Sequence, residues 1–323
     1  MEEGIMKTAF ITGVAGQDGS YLAELLLSKG YEVYGLMRSS GRDAEENIAH
    51  ILDSNFKRVY GDILQRETLQ RIAQMGCDEV YHLAAQSHVG QSFKNPLLAF
   101  ESTALATIRL LEYIRECAPR TKVYIASTSE MLIPEVVGAK GNEDSKLNAH
   151  SPYGVGKVAA HLMAKVYREA FGLFIVSGIA YNHESRRRGP NFVTKKIANG
   201  IANWILTGKP VQLGRMDVYR DWHHAKDTVM GMYLAMQHKV ADDYIFASGK
   251  ARTVNEFAST ACRIMGLTPC TDIIVSNPDK YEVRPWDVDY LCGDPSKAEE
   301  VLDWQRTYTF KEMVSDVCMR WPE

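Results

Sequence analysis

A chain of 323 residues is too long for one ordinary core and long enough for one large domain plus a smaller one. Hydrophobic residues at 46% and charged residues at 24% are ordinary for a globular protein, and a formal net charge of -3 gives no reason to expect nucleic acid or an anionic membrane as partner. No apolar run approaches the roughly 18 residues that span a bilayer, the short acidic start is not a secretion signal, and six scattered cysteines without C-x-x-C or zinc-ligand spacing read as reduced, mostly buried thiols of a cytoplasmic protein with no metal site.

The first segment, Lys7 to Thr12, reads as a buried strand. A turn with Gly13, Gly16 and Gly19 follows, then a helix from Tyr21 to Leu27 that stops at Gly30, then a strand from Glu32 to Met37. Glycines between a strand and a helix let backbone approach a pyrophosphate, and the helix N-terminus offers N–H groups and positive potential. The spacing is G-x-x-G-x-x-G rather than G-x-G-x-x-G, so placement carries this reading more than the pattern does. After the second strand an acidic residue would take a ribose 2′-hydroxyl; Arg38-Ser39-Ser40-Gly41-Arg42 suits a 2′-phosphate instead and favours NADP over NAD. The alternative is a solvated basic loop.

Phe56 to Tyr60 is a short strand ending at Gly61-Asp62-Ile63, a candidate adenine contact. Glu79 to Ala84 is another, ending at Ala85-Gln86-Ser87-His88, and a long helix is predicted from Pro96 to Cys117. Val123 to Ala126 is a buried strand that leads into Ser127 to Glu130. Strands alternating with helices argue for an α/β fold, a Rossmann-type doubly wound parallel sheet, with active groups at the strands' carboxyl ends. Thr128 and Glu130 lie at such an end. Tyr153 and Lys157 follow Pro152, a good first-turn residue, and at i, i+4 they share one helix face about 6 Å apart along the axis. A lysine beside a phenol favours phenolate, which can trade protons with a sugar hydroxyl. The bland reading is a surface Tyr and Lys on an amphipathic helix.

Beyond residue 172 the pattern becomes irregular. Phe174 to Ile179 is one more strand, and Arg186-Arg187-Arg188 is either a phosphate site or a solvated or interfacial patch. Arg220-Asp221-Trp222 and Arg284-Pro285-Trp286-Asp287 suit clamping a diphosphate and stacking on a base or sugar. These features divide the chain into a nucleotide-binding domain over 1–180, with later returns to the sheet at about 212–250, and a smaller mixed α/β part over 181–323 that mainly binds substrate.

Together these residues resemble the extended short-chain dehydrogenases/reductases and, more narrowly, the GDP-mannose 4,6-dehydratase family. The resemblance rests on I-T-G-V-A-G-Q-D-G-S-Y-L-A-E-L-L from Ile11, A-A-Q-S-H-V from Ala84, A-S-T-S-E-M from Ala126, S-P-Y-G-V-G-K from Ser151, N-H-E-S-R-R-R-G from Asn182, R-D-W from Arg220 and R-P-W-D-V-D from Arg284. It implies a redox-neutral loss of water from a GDP-sugar through internal hydride transfer by bound NADP, with Thr128, Glu130, Tyr153 and Lys157 as the catalytic group. It further implies that NADP meets Gly13, Gly16, Gln17, Asp18, Gly19, Arg38, Ser39, Asp62, Ile63, Leu83, Ala85, Ser87, His183 and Arg188 besides Tyr153 and Lys157. The substrate would meet Ser87, Glu130, Asn182, Val193, Lys196, Leu213, Arg220, Arg284 and Asp287. A homodimer or homotetramer is implied too. The chain departs from the family pattern at Leu132-Ile133, where an aromatic residue and glycine are usual, at Asp287, one methylene shorter than glutamate, at Arg186, often proline, and in a short loop after Arg38. A GDP-manno-heptose is the second candidate substrate. A simple reductase or epimerase would have no use for Glu130, nor a non-catalytic NADP sensor for the whole group.

Overall fold

The computed structural model describes residues 6–38, 45–52, 55–277 and 286–319. The elements run β1 (Thr8–Thr12), α1 (Gln17–Ser28), β2 (Glu32–Met37), β3 (Phe56–Tyr60), α2 (Arg66–Gln74), β4 (Glu79–His82), α3 (Val89–Lys94), α4 (Pro96–Phe100), α5 (Ala106–Cys117), β5 (Lys122–Thr128) and α6 (Pro152–Phe171). They continue with β6 (Ile175–Ala180), β7 (Asn182–Glu184), α7 (Val193–Thr207), β8 (Val211–Leu213), β9 (Tyr219–His224), α8 (Ala225–Gln237), β10 (Asp243–Phe246), β11 (Ala251–Thr253), α9 (Val254–Ile264), β12 (Ile274–Ser276), α10 (Ser296–Leu302) and α11 (Phe310–Cys318).

Seven parallel strands form one sheet in the order β10-β6-β5-β4-β1-β2-β3. The chain winds outward from β1 to β3 and then returns to place β4 on the other side of β1. The switch point therefore falls between β1 and β4, where a doubly wound sheet opens a crevice at its carboxyl edge. Apolar side chains cover both faces. Leu22 and Leu26 of α1 and Val229, Met232 and Met236 of α8 pack on one, Leu69 and Ile72 of α2 with Leu110 and Ile114 of α5 on the other. A second core lies between α7, α9 and α11, around Ile197, Ile201, Phe257 and Met313. It supports two small sheets, β11-β9-β7 and β12-β8.

Local chemistry explains the helix carrying the predicted pair. Ser151 accepts the Gly154 amide at 3.0 Å as N-cap, Pro152 opens the first turn, and Gly172 ends the helix at φ +68°. The helix predicted from Pro96 to Cys117 differs from the structure. Glu101–Leu105 is a π-helical turn between α4 and α5. Ser102, Thr103 and Thr107 donate hydroxyls to the carbonyls of Leu98, Ala99 and Thr103 at 2.8, 2.6 and 2.7 Å, competing with the regular ladder. The six thiols expected to be free are not all free. Cys262 and Cys270 form a disulfide between α9 and the loop after it, while Cys77, Cys117, Cys292 and Cys318 remain thiols. Among the described residues no helix is long and apolar enough to cross a membrane.

Candidate active site

One cavity of about 1220 Å³ opens at the carboxyl edge of the sheet. Every residue that the sequence assigned to cofactor or substrate lines it, except Ser39 and Arg284, which lie outside the described residues. It runs from the glycine turn, past Thr128, Glu130 and Tyr153, to Lys196, Leu213 and Arg220.

The glycine turn is closed against itself. Gly13 holds φ +72° and its Cα faces the backbone of Ala84 at the end of β4. A Cβ at Gly19 would sit 2.3 Å from the Gly13 carbonyl oxygen. Gly16 caps α1 with no side-chain oxygen, so the amides of the first turn face the cavity without an internal acceptor from a capping side chain. Ser127 and Gln86 also line the cavity and carry buried oxygens, Oγ and Oε1, that lack a hydrogen-bond partner within the protein. A tight glycine cradle, an uncapped helix start and unsatisfied oxygens suit a dinucleotide. Arg38 follows the last residue of β2 and lines the same end.

Side chains bind this cradle to the opposite wall. Gln17 donates to the His183 carbonyl at 3.0 Å and accepts the Ser185 hydroxyl at 2.8 Å. His183 donates through Nδ1 to the Tyr181 carbonyl at 2.6 Å and through Nε2 to Asp18 at 2.8 Å. Burial disfavours charge on this imidazole, but Asp18's charge and hydrogen bond outweigh it and raise the pKa. Burial opposes the Asp18 carboxylate too, and His183 prevails in lowering its pKa. The sequence named both residues but gave no sign that they pair.

Thr128 ends β5, Glu130 lies half-buried on the single 3₁₀ turn Ser129–Met131, and the Glu130 amide donates to Thr128 Oγ1 at 3.3 Å. Tyr153 and Lys157 are 7% and 5% exposed, so the surface reading of this pair does not hold. Lys157 donates to the Ala126 carbonyl at 2.6 Å, with its Nζ 5.9 Å from the Tyr153 ring centre. The expectation that lysine lowers the phenol's pKa is not met here. Burial pushes Tyr153 up to about 12 against the Thr128 hydrogen bond, with Glu130 adding to the rise. Burial also brings Lys157 down to about 8. A hydroxyl, a carboxylate, a phenol and an ammonium thus converge on one wall, as acid–base chemistry at a sugar ring requires.

The arginine run divides. Arg186 binds Asp316 of α11 at 2.7 Å, Arg187 pairs with Glu24 of α1 and lies over Tyr21, and Arg188 pairs with Glu184 at 3.0 Å over the Phe192 ring. Arg187 and Arg188 line the cavity, and the run also joins segments, which favours an interfacial role within the chain for Arg186. Leu132 and Ile133 do not face the cavity. They are buried with Tyr181, Val288 and Leu291 beneath it. Arg220 is buried, donates to the Val288 carbonyl at 2.8 Å and meets Asp287 at 3.5 Å.

A parallel sheet of this order, with a glycine turn at its switch point and a Tyr-x-x-x-Lys helix beside it, defines the extended short-chain dehydrogenases/reductases. The family profile described as GDP-mannose 4,6 dehydratase matches residues 10–317. The chain belongs to that family. It is 40% identical to GDP-mannose 4,6-dehydratase of Vibrio cholerae serotype O1, covering 96% of this chain and 92% of the relative. It is 40% identical to GDP-mannose 4,6 dehydratase 2 of Arabidopsis thaliana, covering 95% and 85%. Among solved structures, UDP-glucose 4-epimerase of Thermus thermophilus in complex with NAD is similar at TM-score 0.84 and 25% identity, covering 97% and 98%. The dTDP-glucose 4,6-dehydratase of Bacillus anthracis in complex with NAD shares the fold at TM-score 0.84 and 20% identity, covering 98% and 96%.

Proposed function

We propose that this chain is a GDP-mannose 4,6-dehydratase that works with NADP. The observation that carries the reading is Glu130, half-buried beside Thr128 and Tyr153 in the cavity that also holds the glycine cradle. A reductase or epimerase needs no carboxylate there.

Tyr153, as phenolate, takes the proton of the C4 hydroxyl, and Thr128 hydrogen-bonds that oxygen. NADP, held by the glycine cradle and Lys157, would supply the hydride acceptor for C4 and the hydride donor for C6, and its oxidised form would favour the phenolate of a Tyr153 that burial and Glu130 hold in the protonated form. The C4 ketone acidifies the C5 proton. Glu130 removes this proton and delivers it to the departing C6 hydroxyl, so water leaves. Hydride at C6 and the Tyr153 proton at C5 complete a 4-keto-6-deoxy sugar with no net oxidation. Lys157, fixed on Ala126, holds the ribose side of the cofactor. Arg220, Lys196 and the first turn of α7 supply charge and N–H groups for the diphosphate. Arg38 supports a 2′-phosphate and therefore NADP. Val155, Leu162 and Val166 form a half-exposed apolar stripe along α6, which supports a homodimer.

Purified protein with GDP-mannose and a trace of NADP+, without added reductant, tests the reading. Loss of one water with no net NADPH is expected. Glu130→Gln should lower kcat by about 10²- to 10⁴-fold. An unchanged sugar mass in the wild type, or full turnover by Glu130→Gln, would overturn it.

A further inference from the structure

Trp286 is 59% exposed, whereas the other described tryptophans are buried or half-buried. One face of its indole is covered by His150, with ring centres 3.8 Å apart and planes 12° from parallel. The two rings come from different walls of the cavity, and neither lines it.

His150 belongs to the acid–base wall. It directly precedes Ser151, the cap of α6. Two residues earlier, Asn148 donates its amide to the Met131 carbonyl at 2.8 Å and its side chain to the Ile133 carbonyl at 3.0 Å. The strap before α6 is thus pinned to the turn that carries Glu130. Trp286 belongs to the other wall. It directly precedes Asp287 and Val288, whose carboxylate and carbonyl seat the Arg220 guanidinium.

We infer that the His150–Trp286 stack is a latch that positions Arg220. It ties Trp286 and the adjoining Asp287 to the acid–base wall, in addition to the packing of Val288 with Leu132 and Ile133, so that the guanidinium meets the diphosphate of the sugar nucleotide in a fixed place. This rests on the proposed reading of Arg220 as a diphosphate ligand. Both rings are positioning residues. The fold does not depend on them, because the segment is also bonded to β9 through Tyr219 N to Asp289 O at 2.7 Å and Leu291 N to Tyr219 O at 3.1 Å. The diphosphate does not react, so a loosened Arg220 weakens substrate and transition state alike. The loss should appear in KM rather than kcat.

The test compares Trp286→Ala, His150→Ala, the double variant and the ring-conserving Trp286→Phe and His150→Phe. A stacked aromatic pair corresponds to about a two- to tenfold change in binding. KM for GDP-mannose and the calorimetric Kd for GDP should both rise by that factor in either alanine variant, with kcat nearly unchanged. Phenylalanine at either place should restore them, and the double variant should be no worse than a single one. A fall in kcat at constant KM, or losses that multiply in the double variant, would overturn the proposal. The stack has its own readout. The Trp286 emission, taken in each background as the protein with Trp286 minus the same protein carrying Trp286→Phe, should change in His150→Ala, which uncovers the stacked face of the indole. An unchanged emission refutes the latch whatever the sugar. A wild type that turns over no GDP-sugar refutes the dehydratase reading, while the emission and the GDP affinities still decide the latch.

Discussion

Gly19→Ala is the sharpest perturbation of the cradle. The added methyl would stand 2.3 Å from the Gly13 oxygen, 2.7 Å from Val14 Cα and 2.9 Å from the Gly13 carbonyl carbon, all closer than the 3.0 Å below which such contacts are essentially not found. All three atoms are backbone, so no side chain can swing aside. Gly13 cannot retreat freely either, because its Cα already faces Ala84. The turn itself must deform. Overpacking of this kind costs about 1–3 kcal/mol. If the deformation falls on the groups that would meet the pyrophosphate, the loss of dinucleotide affinity is about 5- to 150-fold. Gly16→Ala is the control, since its methyl meets a single atom, the same oxygen, at 3.2 Å, and a small shift relieves it. Its affinity should stay within a few fold of wild type. Calorimetric titration with NADPH, alongside thermal unfolding without cofactor, measures both. Equal losses in the two variants, or wild-type binding and stability in Gly19→Ala, would refute the argument.

Gly156→Ala should destabilise the fold by about 1–3 kcal/mol, because its methyl would lie 2.0 Å from Thr103 Oγ1 in the π-helical turn. Adding Thr103→Ala should return much of that in urea melts, and no recovery would sink the explanation. His82 is buried, and its pKa falls from 6.5 to about 3 chiefly through desolvation, with Lys157 contributing. Below the unfolded value the unfolded chain takes up a proton that the folded one refuses. His82 should therefore cost about 1.4 kcal/mol of stability per pH unit as pH falls from 6.5 toward 3. His82→Gln should show a shallower acid slope than wild type in denaturant titrations, and parallel slopes would refute the assignment. Arg38→Ala should narrow the affinity gap between NADP and NAD by weakening NADP alone, whereas equal weakening of both would remove the 2′-phosphate role.

What could be read from the sequence depended on range. β1, the glycine turn, α1 and β2 were legible because apolar runs and glycines act within about twenty residues, although α1 begins at Gln17 rather than Tyr21. The Tyr153–Lys157 pair was legible from helical spacing, and the cavity brings it to Thr128 and Glu130. The phenol's raised pKa was not legible, since spacing says nothing about desolvation. The partners of Arg186 and Arg187 were hidden as well. Asp316 and Glu24 are far away in sequence, and one charge run does not announce which carboxylate each arginine will meet. Leu132-Ile133 departs from the family pattern in sequence, but nothing in the sequence says that the pair packs beneath the cavity and does not line it. The π-helical turn escaped because its cause is a set of hydroxyl-to-carbonyl bonds inside an otherwise helical pattern.

The two sides of the cavity are held very differently. On the cradle side, α1 meets the segment 183–187 through Gln17, Asp18, Ser20 and Glu24, with hydrogen bonds to His183, Ser185 and Arg187 and an ion pair from His183 to Asp18. These bonds lie in buried or half-buried ground, where water competes poorly and geometry is fixed. A cofactor restored in every cycle has no need to leave, and such a wall can hold it through many turnovers. On the other side, residues 286–288 meet the acid–base wall through Val288, buried with Leu132 and Ile133, and through one aromatic stack with a largely exposed indole. That stack can break at a cost comparable to thermal energy. Under the proposed function substrate and product exchange on each cycle while the cofactor is restored, and the more weakly held of the two sides is the one that carries Trp286.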